Sequence, residues 1–299
     1  MNIFNQAVVK MIPIIPRGIV RKFADPYIAG EKLNDAVDKA KQLNAAGIMG
    51  TMDVLGEHNT LKEQAVQSTD ECIEVIEVIN ENKLDSNLSL KLTQLGLQMD
   101  FDFCRDNLFR ILDAARKYNM FVRIDMEDST CTDDTLKMYE LSRDYYPNCG
   151  VVIQSYLRRS YADVERLVKQ KANFRLCKGI YVEPEKIAFK KKEEIRVNFL
   201  KLLRLMLENK AYVGIATHDD VVVDGAYKIL DEFKLKKEEY EFQMLLGIRE
   251  RLRDEVHSKG HRMRIYIPYG EQWYSYCIRR FKENPKMATY VLKSIVTGD

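Results

Sequence analysis

No excess of charge of either sign runs through this chain: 47 Lys and Arg stand against 45 Asp and Glu, a net charge of +2. A surface so balanced has no long-range field for nucleic acid or anionic lipid, so any anion site must be local. Paired cysteines are missing too. The six cysteines, Cys72, Cys104, Cys131, Cys149, Cys177 and Cys277, contain no C-x-x-C and no zinc-like spacing, which argues against a structural metal or a disulfide frame and fits reduced thiols in a cytosol. His257 and His261 share helical i, i+4 spacing, but Gly260 intervenes and no third ligand is near, so no metal is assigned. There is no apolar run long enough to span a bilayer. Residues 7–16 come nearest, but they are short, are broken by Lys10 and Pro13 and lack a cleavage site, and so read as an arm packed on the body. Finally, no G-x-G-x-x-G opens a βα turn and no P-loop occurs.

What the 299 residues, 46% of them apolar, do contain is a repeated change of period. Leu33, Ala36, Val37, Ala40 and Leu43 form one helical face, with Gly47 placed to end it. Residues 48–55 then read as a buried strand. A helix with Ile73, Ile76 and Ile79 on one side gives way to a strand over 88–92. Asp106 is placed to cap a helix carrying Leu108, Ile111, Leu112 and Ala115, before a strand over 120–125. A helix over 135–144 precedes a strand at 151–154, and Ser160 is placed to cap a short helix before a strand at 174–178. A charged helix with Ile195, Phe199, Leu202 and Met206 leads to a strand at 213–217, and strands at 241–245 and 263–267 complete the series. About eight strands at βα spacing predict an α/β fold, a (β/α)₈ TIM-like barrel more than an open sheet. The expected division is an N-terminal helical arm over 1–46 and a catalytic barrel over 47–299.

Polar residues recur where the strands end: Asp53 with Glu57, Lys91, Asp125, Gln154, Arg175 with Lys178, Thr217 with His218, Gln243 and Tyr266. That rim is where such barrels carry their sites, although each residue alone is compatible with a loop entry. A last helix over 273–285 puts Tyr276, Arg279, Arg280 and Glu283 on one face. Two adjacent guanidiniums suit a small carboxylate. The plainer alternative is a solvated helix with Glu283 as the partner of Arg279, just as Lys190 to Glu194 read as a solvated face.

Taken in order, Leu90-Lys-Leu92, Ile124-Asp-Met-Glu127, Val152-Ile-Gln-Ser-Tyr156, Arg175-Leu-Cys-Lys-Gly-Ile-Tyr181, Ala216-Thr-His218, Glu241-Phe-Gln243, Arg264-Ile-Tyr266 and Tyr276-x-x-Arg-Arg-x-x-Glu283 resemble the proline dehydrogenase family over about residues 45–285. The length is similar to its short monofunctional bacterial form. The resemblance implies a distorted barrel and an FAD-dependent oxidation of L-proline to Δ1-pyrroline-5-carboxylate. It implies electrons passed to a membrane quinone, and a cytoplasmic protein or one peripheral at the inner face of the membrane, with pyrroline-5-carboxylate dehydrogenase as a partner.

The resemblance also implies roles. Arg279, Arg280 and Lys91 bind the substrate carboxylate, and the catalytic pair is Asp125, as the partner that fixes Lys91, and Arg175, as a fixed cation beside the ring. Tyr181, Leu245, Tyr266 and Tyr276 wall the pyrrolidine. Met126, Gln154, Arg175, Lys178, Gly179, Ile180, Thr217, His218 and Glu283 hold FAD, Gly179 by letting its backbone approach closely, and Glu57 gates the site by pairing with an arginine of the last helix. Departures from the family pattern are Cys177 for a frequent valine, read as a buried small hydrophobe, Asp219 for the asparagine after Thr-His, and Ile180 and Val182 around Tyr181. Two other classes compete with this reading: a lyase using Lys91 or Lys178 as a Schiff-base amine, and a non-catalytic amino-acid binder built on Arg279 and Arg280.

Overall fold

Eight parallel strands close on themselves in chain order, with the first paired to the last. They are β1 Met49–Val54, β2 Ser86–Leu90, β3 Val122–Ile124, β4 Cys149–Gln154, β5 Phe174–Cys177, β6 Val213–Ala216, β7 Tyr240–Leu245 and β8 Met263–Tyr269. This computed structural model describes Arg21, residues 24–274 and residues 276–278. Helix α1, Leu33–Ala45, precedes the barrel. The crossovers are α2 Lys62–Glu81, α3 Phe101–Lys117, α4 Thr132–Tyr145, α5 Ser160–Leu167, α6 Lys192–Glu208, α7 Asp220–Phe233 and α8 Glu250–Ser258.

The strands alternate strictly, and each set of side chains has its own surroundings. Met52, Leu88, Leu90, Ile124, Phe174, Leu176, Ile215 and Phe242 are fully buried in one apolar cluster with Ile76, Leu108, Ile111, Phe199, Leu202 and Val222 of the helices. Each large side chain so buried contributes on the order of 1.5–3 kcal/mol. Many of the intervening positions are polar and bond to one another inside the barrel. Arg264 Nε donates to Glu241 Oε1 at 2.7 Å, and its Nη1 donates to Asn87 Oδ1 at 2.9 Å and to Gly50 O at 2.6 Å. Gln243 Nε2 donates to the same Glu241 oxygen at 2.5 Å, and Tyr212 OH donates to Oε2 at 2.9 Å. Burial alone would raise the Glu241 carboxyl, but Arg264 overrides it and brings the group down to about 2.

Several local expectations change. Asp106 does not cap α3; it lies inside the helix, and Asp100 accepts the Phe103 N–H at 2.8 Å, starting the helix earlier. Ser160 is the first residue of α5, not its cap, and its Oγ instead donates to Gln154 O at 2.6 Å, tying the helix to the end of β4. Helix α4 is longer than 135–144, and β2 lies two residues earlier than expected, so Lys91 sits just past the strand's end. Ala36, Val37, Ala40 and Leu43 of α1 belong to the barrel's own apolar cluster. Residues 1–20, including the apolar stretch at 7–16, lie outside the described residues. Among the described residues, no helix is long and apolar enough to cross a membrane.

Candidate active site

A cavity of about 630 Å³ opens at the C-terminal ends of the strands, within the range of ligand pockets. Lys91, Asp125, Met126, Gln154, Arg175, Lys178, Gly179, Ile180, Tyr181, Thr217, His218, Leu245, Tyr266 and Tyr276 all line it, with Glu57 at its edge. Most follow from register, since residues one or two positions beyond a strand, or on its inward face, converge on the barrel axis, whereas Glu57, Ile180, Tyr181 and Tyr276 come from farther along the chain. Trp273, Tyr276, Cys277 and Ile278 are buried in helical turns at 273–274 and 276–278, which brings Tyr276 to the cavity. Arg279, Arg280 and Glu283 lie outside the described residues.

The cavity floor differs from the expected pairing in one respect. Asp125 is not the main partner of Lys91. Lys91 Nζ donates to both oxygens of Asp53 at 3.0 Å, while Asp125 Oδ2 stands 3.6 Å away. Asp125 is committed elsewhere: its Oδ1 accepts from Arg175 Nη1 at 2.6 Å and from Ser89 Oγ at 2.7 Å, and its Oδ2 accepts from Tyr266 OH at 3.2 Å. Arg175 also donates Nε–H to Gln243 Oε1 at 2.6 Å, and its guanidinium lies 5.4 Å from the Tyr266 ring centre. The physical reason is reach. Asp53 and Ser89 are direct register partners on β1 and β2, so Lys91, two residues after Ser89, stands over Asp53.

Burial works against the charge of Lys91, yet Asp53, Tyr266, Asp125 and Glu57 outweigh it and hold the ammonium well above the ordinary lysine value. Burial and the Asp53 charge likewise push the Tyr266 phenol far up, so it stays a neutral donor.

At the outer end the cations are paired. Lys178 Nζ donates to Asp219 Oδ2 at 2.9 Å, and Arg196 grips the same carboxylate through Nε at 2.9 Å and Nη2 at 2.8 Å. Burial would raise the Asp219 carboxyl, but these donors hold it well below the usual range. Asp219 also caps α7, a job its replacement of asparagine preserves. Arg249 pairs with Asp220. His218 Nε2 accepts the Leu245 N–H at 2.9 Å, which leaves the proton on Nδ1 in the neutral ring.

Gly179 has a structural reason the sequence did not reveal. Its φ is +99°, and a Cβ there would overlap the ring of Tyr156, so close packing on Tyr156, not only ligand approach, requires glycine. Gly179→Ala is expected to destabilise the fold by about 1–3 kcal/mol, read as a lowered urea midpoint; an unchanged midpoint would contradict the packing argument. Cys177 is half-buried on the cavity wall, not fully buried, and burial pushes its thiol up to about 11, so it is inert at neutral pH.

Sequence reasoning missed Arg196, Lys192 and Arg249 on the wall and passed over Ser89, and it placed Asp53 and Gln243 at the strand ends without giving them partners. Ser89 and Gln243 carried a signal, the inward period-2 position shared with Lys91 and Glu241. The helix cations carried none.

A closed parallel barrel with a charge-lined cavity at its C-terminal rim is the arrangement of barrel enzymes. The family model described as proline dehydrogenase matches residues 36–292. Proline dehydrogenase 1 of Bacillus subtilis subsp. natto is 38% identical over 270 residues, covering 90% of this chain and 89% of that protein. Proline dehydrogenase of Deinococcus radiodurans is 33% identical over 280 residues, 92% and 90% of the two chains. Among solved structures, proline utilization A (PutA) from Bdellovibrio bacteriovorus, inactivated by N-propargylglycine, superposes with a TM-score of 0.83 at 24% identity, covering 89% of this chain and 33% of that one. The chain belongs to the proline dehydrogenase family, and it is an enzyme of that class.

Proposed function

We propose that the chain oxidises L-proline to Δ1-pyrroline-5-carboxylate with FAD and passes the electrons to a membrane quinone. It would work in the cytoplasm or at the inner face of the membrane, its product taken up by a pyrroline-5-carboxylate dehydrogenase. The observation that supports the cofactor reading is that two residues of the cavity wall each carry a buried atom with no partner among the described residues, Arg175 Nη2 and Gln154 Oε1. One is a donor and the other an acceptor, the kinds of group that a heterocycle bearing carbonyl and N–H groups can satisfy. The residues present therefore fit a flavin. Arg175, Gln154 and Met126 would hold its ring, and Lys178, Gly179, Ile180, Thr217 and His218 the phosphate-bearing arm, with Arg196 and Lys192 added from α6 and Glu283 from the last helix. When bound, the flavin supplies the two-electron acceptor for oxidation of the C–N bond.

The chain's own residues then bind and orient. The Lys91 ammonium, with Arg279 and Arg280, receives the proline carboxylate in a confined place where charge-assisted bonds are strong. Tyr181, Leu245, Tyr266 and Tyr276 confine the ring and exclude water, and Glu57 guards the entrance. Asp125 holds Arg175 in place, and Arg175 keeps a positive charge beside the reaction centre. A Schiff-base role for Lys91 is disfavoured, because such an amine needs a lowered pKa and Asp53 pushes this one the other way.

With L-proline and a soluble quinone, purified protein is expected to form a product two hydrogens lighter than proline, in step with quinone reduced. N-propargylglycine should inactivate it over time, with proline protecting. Trapping of a proline adduct on Lys91 by borohydride, without quinone reduction, would select the lyase instead.

A further inference from the structure

Asp53 ends the inward face of β1, is fully buried, and is not itself on the cavity wall. Both its oxygens accept from Lys91 Nζ at 3.0 Å, the geometry of one ammonium N–H shared between the two oxygens of a single carboxylate. A second contact reaches Tyr266 OH at 3.2 Å, on the cavity side. Charged and titratable groups surround Lys91: Asp53 on β1, Glu57 in the loop after it, Asp125 past β3 and Tyr266 on β8, with Glu127 past β3 and Cys72 on α2 behind them. Asp53 gives both oxygens to Lys91 and also bonds to Tyr266, whereas Asp125 is claimed by Arg175 at 2.6 Å and Ser89 at 2.7 Å. The floor thus sorts into two pairs, Asp53 with Lys91 and Asp125 with Arg175.

We propose that Asp53 is a positioning residue that pins the Lys91 ammonium from beneath, so that with Tyr266 as its side contact an N–H is left directed into the cavity for the substrate carboxylate, while Asp125 holds Arg175. The inference rests on reading Lys91 as a ligand of the proline carboxylate. A salt-bridged lysine on a flexible four-carbon stem has no fixed direction of its own. A carboxylate held rigidly at a strand end supplies one.

The test is a double-mutant cycle with Asp53→Asn and Lys91→Met. Asp53→Asn keeps the shape but removes the charge and replaces one acceptor with a donor. It is expected to raise KM for proline roughly 10- to 100-fold, the loss of a charge-assisted bond, with kcat changed only a few-fold and the flavin spectrum intact. The alkaline fall of kcat/KM should also move to lower pH, because the largest offset to the burial of Lys91 is then gone. In the presence of Lys91→Met, adding Asp53→Asn should change KM no further. That double variant carries no unpaired buried ammonium, so it keeps the comparison available if Asp53→Asn alone fails to fold. Equal effects of Asp53→Asn with and without Lys91→Met would overturn the inference, as would an unmoved alkaline limb. If Lys91→Met alone left KM unchanged, the reading of Lys91 as a substrate ligand would itself fall, an outcome distinct from additivity in the cycle.

Discussion

Arg175→Met is expected to lower turnover roughly 100- to 1000-fold, the effect typical of removing one preorganised donor from a reaction centre. Methionine approximates the stem but returns none of the bonds. Asp125 would keep only Ser89 and Tyr266 as donors, and Gln243 Oε1 would lose its partner at 2.6 Å. A buried carboxylate left short of donors is costly, so some stability should be lost as well. The diagnostic readout is the reduction potential of the bound flavin, which should become more negative once the fixed cation is gone. Arg175→Lys should recover only part of the rate, because a lysine cannot reach Asp125 and Gln243 together as a rigid fork does. A pure rise in KM with unchanged kcat and potential would show that Arg175 acts only in substrate binding.

The second large effect concerns stability. Glu241→Gln should cost about 3–5 kcal/mol, the usual penalty for stranding one member of a buried ion pair. Arg264, with its side chain 13% exposed, would lose its carboxylate, and Tyr212 and Gln243 would lose a charged acceptor. The pH dependence has a definite sign. The folded Glu241 carboxyl lies at about 2, below an unfolded glutamate near about 4.3. The stabilisation is therefore present above the unfolded value and lost as pH falls through about 2. Urea unfolding of wild type should weaken across that acid window, and the variant should lack this component. Equal midpoints for the two proteins at neutral pH would show that the pair contributes nothing net.

The barrel was legible because a change from period 3.6 to period 2 repeats along the chain, and tertiary packing rarely overrides so many concordant signals. Boundaries were less legible. Asp100 and Asp106 are equally good caps by residue type, and only the position of Phe103 N–H distinguishes them. The rim residues could be read from strand ends, since inward position and polarity coincide there. Which acid meets which base could not, because it depends on the stagger between strands. Asp125 and Asp53 both lie near Lys91, and the β1–β2 register awards it to Asp53. Helix-borne Arg196 gave no signal, since a cation in the first turns of a charged helix looks solvated. An alternating polar face in an all-parallel sheet was the underused clue. Parallel strands buried on both sides are ordinarily continuous apolar runs, so Ser89, Arg175, Glu241 and Arg264 already marked a charged interior.

The most direct measurement is an anaerobic titration of the purified protein with L-proline, followed by its visible flavin absorbance. The protein should be yellow as isolated, with absorbance that bleaches in proportion to added L-proline and returns when quinone is admitted. A colourless protein that cannot be reconstituted with FAD, or a yellow one whose spectrum L-proline leaves unchanged, would contradict the reading of this cavity as a flavin-dependent proline site.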